Sequence, residues 1–192
     1  MMIFRSRPVF ILILLFGAYT SSLAQSPIKV SEWKIVKSVD KLAHVFAPLP
    51  MQVRVDSIET DIGQVITVHH ILQQSLEFSP NFLFHFSYTI YPSEVIFRDS
   101  SDLVEDLLTT TVENSVLMQN GELLYTAKKD FKDYPGRIWK TKYDNDAFVM
   151  KSEAYVADDR LYIIQVGSAA NTDVGEAVDH FLDSFRIISS GL

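Results

Sequence analysis

Ten consecutive residues, Asn81–Ile90 (NFLFHFSYTI), alternate between two kinds of side chain. Phe82, Phe84, Phe86, Tyr88 and Ile90 fall on one side, and Leu83, His85, Ser87 and Thr89 on the other. A period of two held for so long describes a β-strand with one buried face, not a helix. A strand of that kind needs paired neighbours and a layer to cover its aromatic face. The rest of the chain supplies both.

Upstream, residues 31–38 are expected as a first strand, with Trp33 and Ile35 inward and Lys34 outward. Residues 41–50 read as a second strand, closed where Pro48 and Pro50 remove backbone donors. Residues 51–60 and 63–72 flank Asp61-Ile62-Gly63 and read as a hairpin. Downstream, strands are expected at 122–131, 136–143, 147–156 and 160–166. Their links, at Tyr134-Pro135-Gly136, Asp144-Asn145-Asp146 and Ala157-Asp158-Asp159, are short and made of turn-forming residues, which implies antiparallel neighbours.

The period changes twice. After Asp99-Ser100-Ser101, residues Leu103, Leu107, Leu108 and Thr111 fall at helical spacing, and the helix is expected to run to about Ser115. Asp102 and Glu105, three apart, suit an N-terminal capping arrangement. At 172–188, Val174, Val178, Phe181, Leu182 and Phe185 form an amphipathic stripe opened by Thr172 or Asp173. Strands, a helix, four strands and a helix add up to one α+β domain over 31–188, an antiparallel β-sheet with helices packed on it.

Residues 1–24 carry Arg5 and Arg7, then an apolar run of roughly ten residues, then small residues ending at Ala24, the three parts of a secretory signal. The run is short of the ~20 residues of a membrane span, so cleavage after Ala24, export to the periplasm or exterior, and no span after cleavage are expected. Residues 25–30 then read as a linker and 189–192 as a tail. No cysteine exists, which removes disulfides, thiolate nucleophiles, Cys-ligated zinc and a lipid-anchored cysteine. Cleavage leaves 15 basic against 24 acidic groups. Such a body repels phosphate backbones, so nucleic acid is not an expected partner.

The segments RLYIIQVGS (160–168) and FLDSFRI (181–187), separated by a polar loop, resemble the C-terminal part of PsbP-like domains. HVFAPLP (44–50) resembles the Phe-x-Pro entry strand of those domains, and YPGRIWK (134–140) resembles the Gly-Arg-containing strand that precedes the final hairpin in some exported bacterial members of unknown function. The resemblance spans most of 31–188 and implies an antiparallel sheet between helices, an α/β/α sandwich. It brings no catalytic set and no cofactor, and no thylakoid-targeting arrangement accompanies it.

Candidate chemistry is sparse. On a strand from Gly136, the residues Arg137, Trp139, Thr141 and Tyr143 share a face, so Arg137, Trp139 and Tyr143 form a possible ligand or partner surface. The competing reading is structural: Pro135-Gly136 turns the chain and Trp139 packs under a helix. His69 and His70 point to opposite faces of a strand, whereas His85 lies within reach of one of them across paired strands; zinc needs about three protein ligands and no third is evident. His44 and His180 stand apart from these. Ser31-x-x-Lys34 and Ser38-x-x-Lys41 lack a helix and companion motifs, and Asp179 with Asp183 reads as a solvated helix face. No catalytic residue, metal site or cofactor is therefore expected. The chain reads as a non-enzymatic exported module that binds a protein or envelope component. The alternative is a carrier of a small apolar or aromatic ligand, walled by the Phe82/Phe84/Phe86/Tyr88 stripe.

Overall fold

The computed structural model of the chain describes residues 29–92, 100–172 and 175–188. The expected leader at 1–24, most of the linker, the tail at 189–192 and the helix-opening Asp173 lie outside the described residues. A single 3-10 turn, Val30–Glu32, leads into β1 (Lys34–Lys37) and β2 (Ala43–Ala47). There follow β3 (Gln52–Thr60), β4 (Gly63–Gln73) and β5 (Asn81–Ile90), then α1 (Ser101–Met118). Four strands come next: β6 (Glu122–Lys128), β7 (Gly136–Tyr143), β8 (Phe148–Ala157) and β9 (Arg160–Ala169). The chain closes with α2 (Glu176–Asp183) and β10 (Arg186–Ile187).

Seven strands form one sheet in the order β3-β4-β5-β9-β8-β7-β6, and β1-β2-β10 form a second. Every strand pairing among the described residues is antiparallel. The aromatic stripe explains where the layers go. Phe84, Phe86 and Tyr88 join Tyr162, Ile164 and Val166 on one face of the large sheet, covered by Trp33, Val45, Phe181 and Phe185 from the small sheet and α2. Each such side chain contributes about 1.5–3 kcal/mol by leaving water. The opposite face buries Trp139, Ala154, Val156 and Leu161 under Val104, Leu108 and Val112 of α1. The architecture is α+β and mostly sheet, with α1 on one side and α2 plus the small sheet on the other.

Several expectations are corrected. Trp33 is buried, but Ile35 faces out, 51% exposed, because β1 is a four-residue edge strand paired only to β2. Phe82 leaves the aromatic stripe. The register shifts between Asn81 and Leu83, and a Cβ at Gly167, which pairs with Leu83, would sit 3.0 Å from the Phe82 ring. Gly167 makes room for that ring. In α1 the buried stripe is Val104, Leu108 and Val112, with Leu103 exposed, and the cap is Ser100, whose side chain accepts from Leu103 N–H. The final helix is eight residues, not seventeen; Phe185 and Ile187 alternate, and Arg186–Ile187 pairs with β2 as a strand. Gly175 takes the N-cap position in extended backbone.

Candidate functional site

The stretch 129–140 turns the chain from β6 into β7. β6 ends at Lys128, Phe131 and Tyr134 pair as an isolated bridge, and β7 begins at Gly136. Gly136 admits no side chain. A Cβ there would stand 2.4 Å from the carbonyl oxygen of Lys129 and 2.4 Å from the Tyr155 ring. Its N–H donates to Asp130 Oδ1 at 3.1 Å, which fixes the corner.

From that corner β7 runs beneath α1. Trp139 is fully buried and donates from Nε1 to Ser115 Oγ of α1 at 3.2 Å. Arg137 is mostly buried and its guanidinium donates to Glu105, also on α1. That contact holds the Glu105 carboxyl below the usual range. Thr141 donates to Gln119 at the far end of the helix. Tyr143 packs at a tilt on Phe148, which meets Phe82 edge to face. Arg137, Trp139 and Tyr143 thus share one face of β7, but they do not make an open platform. Arg137 and Trp139 are the seat of α1, and Tyr143 belongs to an aromatic strip at the strand's other end.

What the corner does leave open is a groove between the N-terminal half of α1 and residues 128–136, with a volume of about 720 Å³. Val104, Leu108, Pro135 and Val156 give it an apolar floor. Glu105, Asp130, Asp133 and Asp158 line it with carboxylates, alongside Lys128 and Lys132. Lys128 approaches Glu105 at 3.5 Å, while the Lys132 ammonium lies over the Phe131 ring, 5.7 Å from its centre. Ser101 and Tyr134 complete the wall.

The uncharged polar side chains of the same sheet face form a ladder instead of a site. His69 and His85 meet across β4 and β5, rings stacked, with His69 Nδ1 and His85 Nε2 3.0 Å apart. His85 Nδ1 faces Gln165 Oε1 at 3.0 Å, and Gln165 Nε2 donates to buried Ser152 at 3.0 Å. At the outer end His69 Nε2 lies 3.4 Å from Asp56. With the Gln165 oxygen accepting from His85 Nδ1–H, His85 Nε2 must accept from His69 Nδ1–H. Burial lowers both imidazoles, His85 to about 4, and Asp56 offsets part of the effect at His69. Three of the four ring nitrogens of the pair are hydrogen-bonded within the ladder, His69 Nε2 pairs with Asp56 only when His69 is protonated, and among the described residues no three His, Asp or Glu side chains group to hold a metal.

On the opposite face Glu153 is 2% exposed and accepts from Lys129 Nζ and from Tyr155 Oη, both at 2.6 Å. Burial, then the Glu153 charge, pushes the Tyr155 hydroxyl up. Asp179 and Asp183 each face a lysine, Lys151 at 2.9 Å and Lys129 at 3.6 Å. Ser38 serves a turn, donating to Asp40 at 2.6 Å and accepting from Ala43 N–H at 2.9 Å. Ser168 donates to Asn81 at 2.7 Å inside the fold.

No family model matches the chain, and no curated protein does. It is similar to a solved structure, the cyanobacterial PsbP of Synechocystis, with 13% identity and a TM-score of 0.47 over 84% of this chain and 96% of that one. A Pseudomonas aeruginosa protein of unknown function is similar at 7% identity and a TM-score of 0.35, over 73% of this chain and 85% of that one. Neither likeness assigns a residue a role. The groove was absent from the sequence reading, although Tyr134-Pro135-Gly136 marked its lower lip. Its upper lip is α1, some thirty residues away in the chain, and the two are joined through Glu105, which meets Arg137 and Lys128. No helix among the described residues is long and apolar enough to cross a membrane.

Proposed function

We propose that this chain is an exported PsbP-like accessory domain of the cell envelope, a binding module and not an enzyme, that holds a partner protein in the groove between α1 and residues 128–136. One observation carries the reading. The groove joins an apolar floor to a charged rim, the combination that distinguishes a recognition cleft from a gap in packing. Its walls are braced from below by Arg137 and Trp139, so the surface is held ready before a partner arrives. Deeply buried polar side chains elsewhere, Thr141, Ser152, Ser168 and Glu153, are engaged in hydrogen bonds inside the fold. The resemblance of the segments at 44–50, 134–140 and 160–187 to PsbP-like domains supports the family assignment. The Phe84/Phe86/Tyr88 stripe favours no carrier reading, since Trp33, Phe181 and Phe185 already occupy the space before it.

The test is position-dependent cross-linking in the cells of origin. A photo-reactive residue at Tyr134 is expected to give a discrete protein adduct. The same residue at Leu76, in the exposed β4–β5 loop at the other end of the sheet, is expected to give none. Adducts of equal yield from both positions would defeat the reading, as would a hydrolytic activity abolished by one substitution outside the groove.

A further inference from the structure

Among the described strands, the large sheet ends at β3 on one side and β6 on the other, and the two edges are finished differently. β6 carries a register shift between Leu123 and Tyr125 and ends in Lys128, both of which discourage another strand from adding. β3 is nine residues long, pairs with β4 in an unbroken register, and contains neither proline nor lysine. Its Val53 and Val55 are 53% and 59% exposed. The ladder fixes what that edge offers. Gln74 N–H donates to the Phe82 carbonyl at 2.8 Å, so even-numbered residues of β4 bond to β5 and odd-numbered ones to β3. In β3 the even-numbered residues therefore spend their backbone bonds on β4. The N–H and C=O of Val53, Val55, Ser57 and Glu59 are left directed at the open edge.

We propose that β3 pairs antiparallel with β3 of a second copy of this chain, across a two-fold axis at Val55. The charges select both the copy and the register. Within one chain, Arg54 and Asp56 lie on the same face of β3, exposed, with Nη2 to Oδ1 at 2.9 Å. With the axis at Val55, Arg54 of each copy lies opposite Asp56 of the other, Val55 opposite Val55, and Val53 opposite Ser57. Residues with outward amides then meet each other, as an antiparallel ladder requires. An axis at Arg54 or at Asp56 keeps that match but sets like charges opposite, which destabilises a cross-strand pair. Only the Val55 axis sets Arg54 against Asp56, and it does so twice while covering the exposed valines. The contact is isologous and closes on itself. It goes beyond the groove reading and does not rest on it, because the groove opens beside β6 at the far end of the sheet.

Sedimentation velocity of the purified protein from about 1 µM to 1 mM is expected to show a monomer–dimer equilibrium. Arg54→Asp and Asp56→Arg each set like charges across the axis twice, and each alone is expected to weaken the dimer by about tenfold or more. Mixed together, the two variants regain opposite charges at both contacts. They are expected to form a heterodimer within about threefold of the wild-type affinity. Val55→Pro removes an N–H that β4 does not use and is expected to dissociate the dimer. Melting temperatures check that the variants fold, and a photo-reactive residue at Ser57 probes the edge in cells, where an adduct of two copies is expected. A protein that stays monomeric to about 1 mM would overturn the proposal. So would a dimer that survives all three variants, or a mixture of the two charge variants that fails to associate. An adduct from Ser57 with a different protein alone would give the edge to that protein and overturn self-pairing.

Discussion

Acidification is expected to loosen this fold through one ring. His85 sits between His69 and Gln165 with a pKa of about 4, against 6.5 for the free group. The cause is burial first, and the geometry agrees, since a second proton on Nε2 would meet the N–H of His69. The folded value lies below the unfolded one, so the fold holds the neutral ring. Stability from this group is complete above about pH 7 and drains as pH falls through 6.5 towards 4. At about pH 5 the unfolded ring is largely protonated and the folded one largely neutral, which withdraws ~2 kcal/mol; below both values the loss approaches ~3 kcal/mol. His85→Gln removes the titration and keeps a polar group of similar reach. His44, His69 and His70 are also lowered and are present in both proteins, so the informative quantity is the difference between proteins. Urea unfolding followed by tryptophan fluorescence at about pH 7 and pH 5 measures it. The wild-type protein is expected to lose ~2 kcal/mol more than the variant over that interval. A difference within ~0.3 kcal/mol would refute the argument.

Three further outcomes follow from the packing. Gly136→Ala drives a methyl group into the Lys129 carbonyl and the Tyr155 ring and is expected to cost more than ~3 kcal/mol, or to yield no soluble protein, in thermal melts. Lys129→Met strands the buried Glu153 carboxylate; since the lysine is 36% exposed, ~2 kcal/mol is expected by urea unfolding, less than the ~3–5 for a fully buried pair. Adding Glu153→Gln is expected to recover part of that loss, and a strictly additive double variant would argue against the pair. Ser100→Ala removes the side-chain cap of α1 and is expected to lower stability by about 1 kcal/mol, with faster amide exchange in the first helical turn.

The strands at Asn81–Ile90 and Gly136–Tyr143 were legible because each signal was local: a period of two in one case, Pro135-Gly136 in the other. Boundaries failed where two periods fit the same residues. In 181–187, Phe181 and Leu182 obey helical spacing, whereas Phe185 and Ile187 obey strand spacing, and β2 settles the matter by offering an edge. Ile35 looked like core because alternation does not reveal that a strand has a neighbour on one side only. The pairing of His69 with His85 was within reach of the sequence, being a matter of adjacent strands. Its flanking partners were not: Gln165 arrives through β5–β9 register and Asp56 through β3–β4 twist and side-chain reach. The groove was least legible of all. It is a gap between elements, made by residues that keep their distance, and no periodicity encodes that.

The two-residue strand β10 reaches across β2 to lie beside the first elements of the described chain. The central pairing of β5 with β9 likewise joins segments whose partners lie some eighty positions apart. Neither can form until residues 160–187 have been made and are free to pair. Until then the strand edges and the aromatic stripe stay uncovered, with the long-range contacts that would lock them still to be gained. A chain laid out this way delays its own closure until its late strands are free to pair.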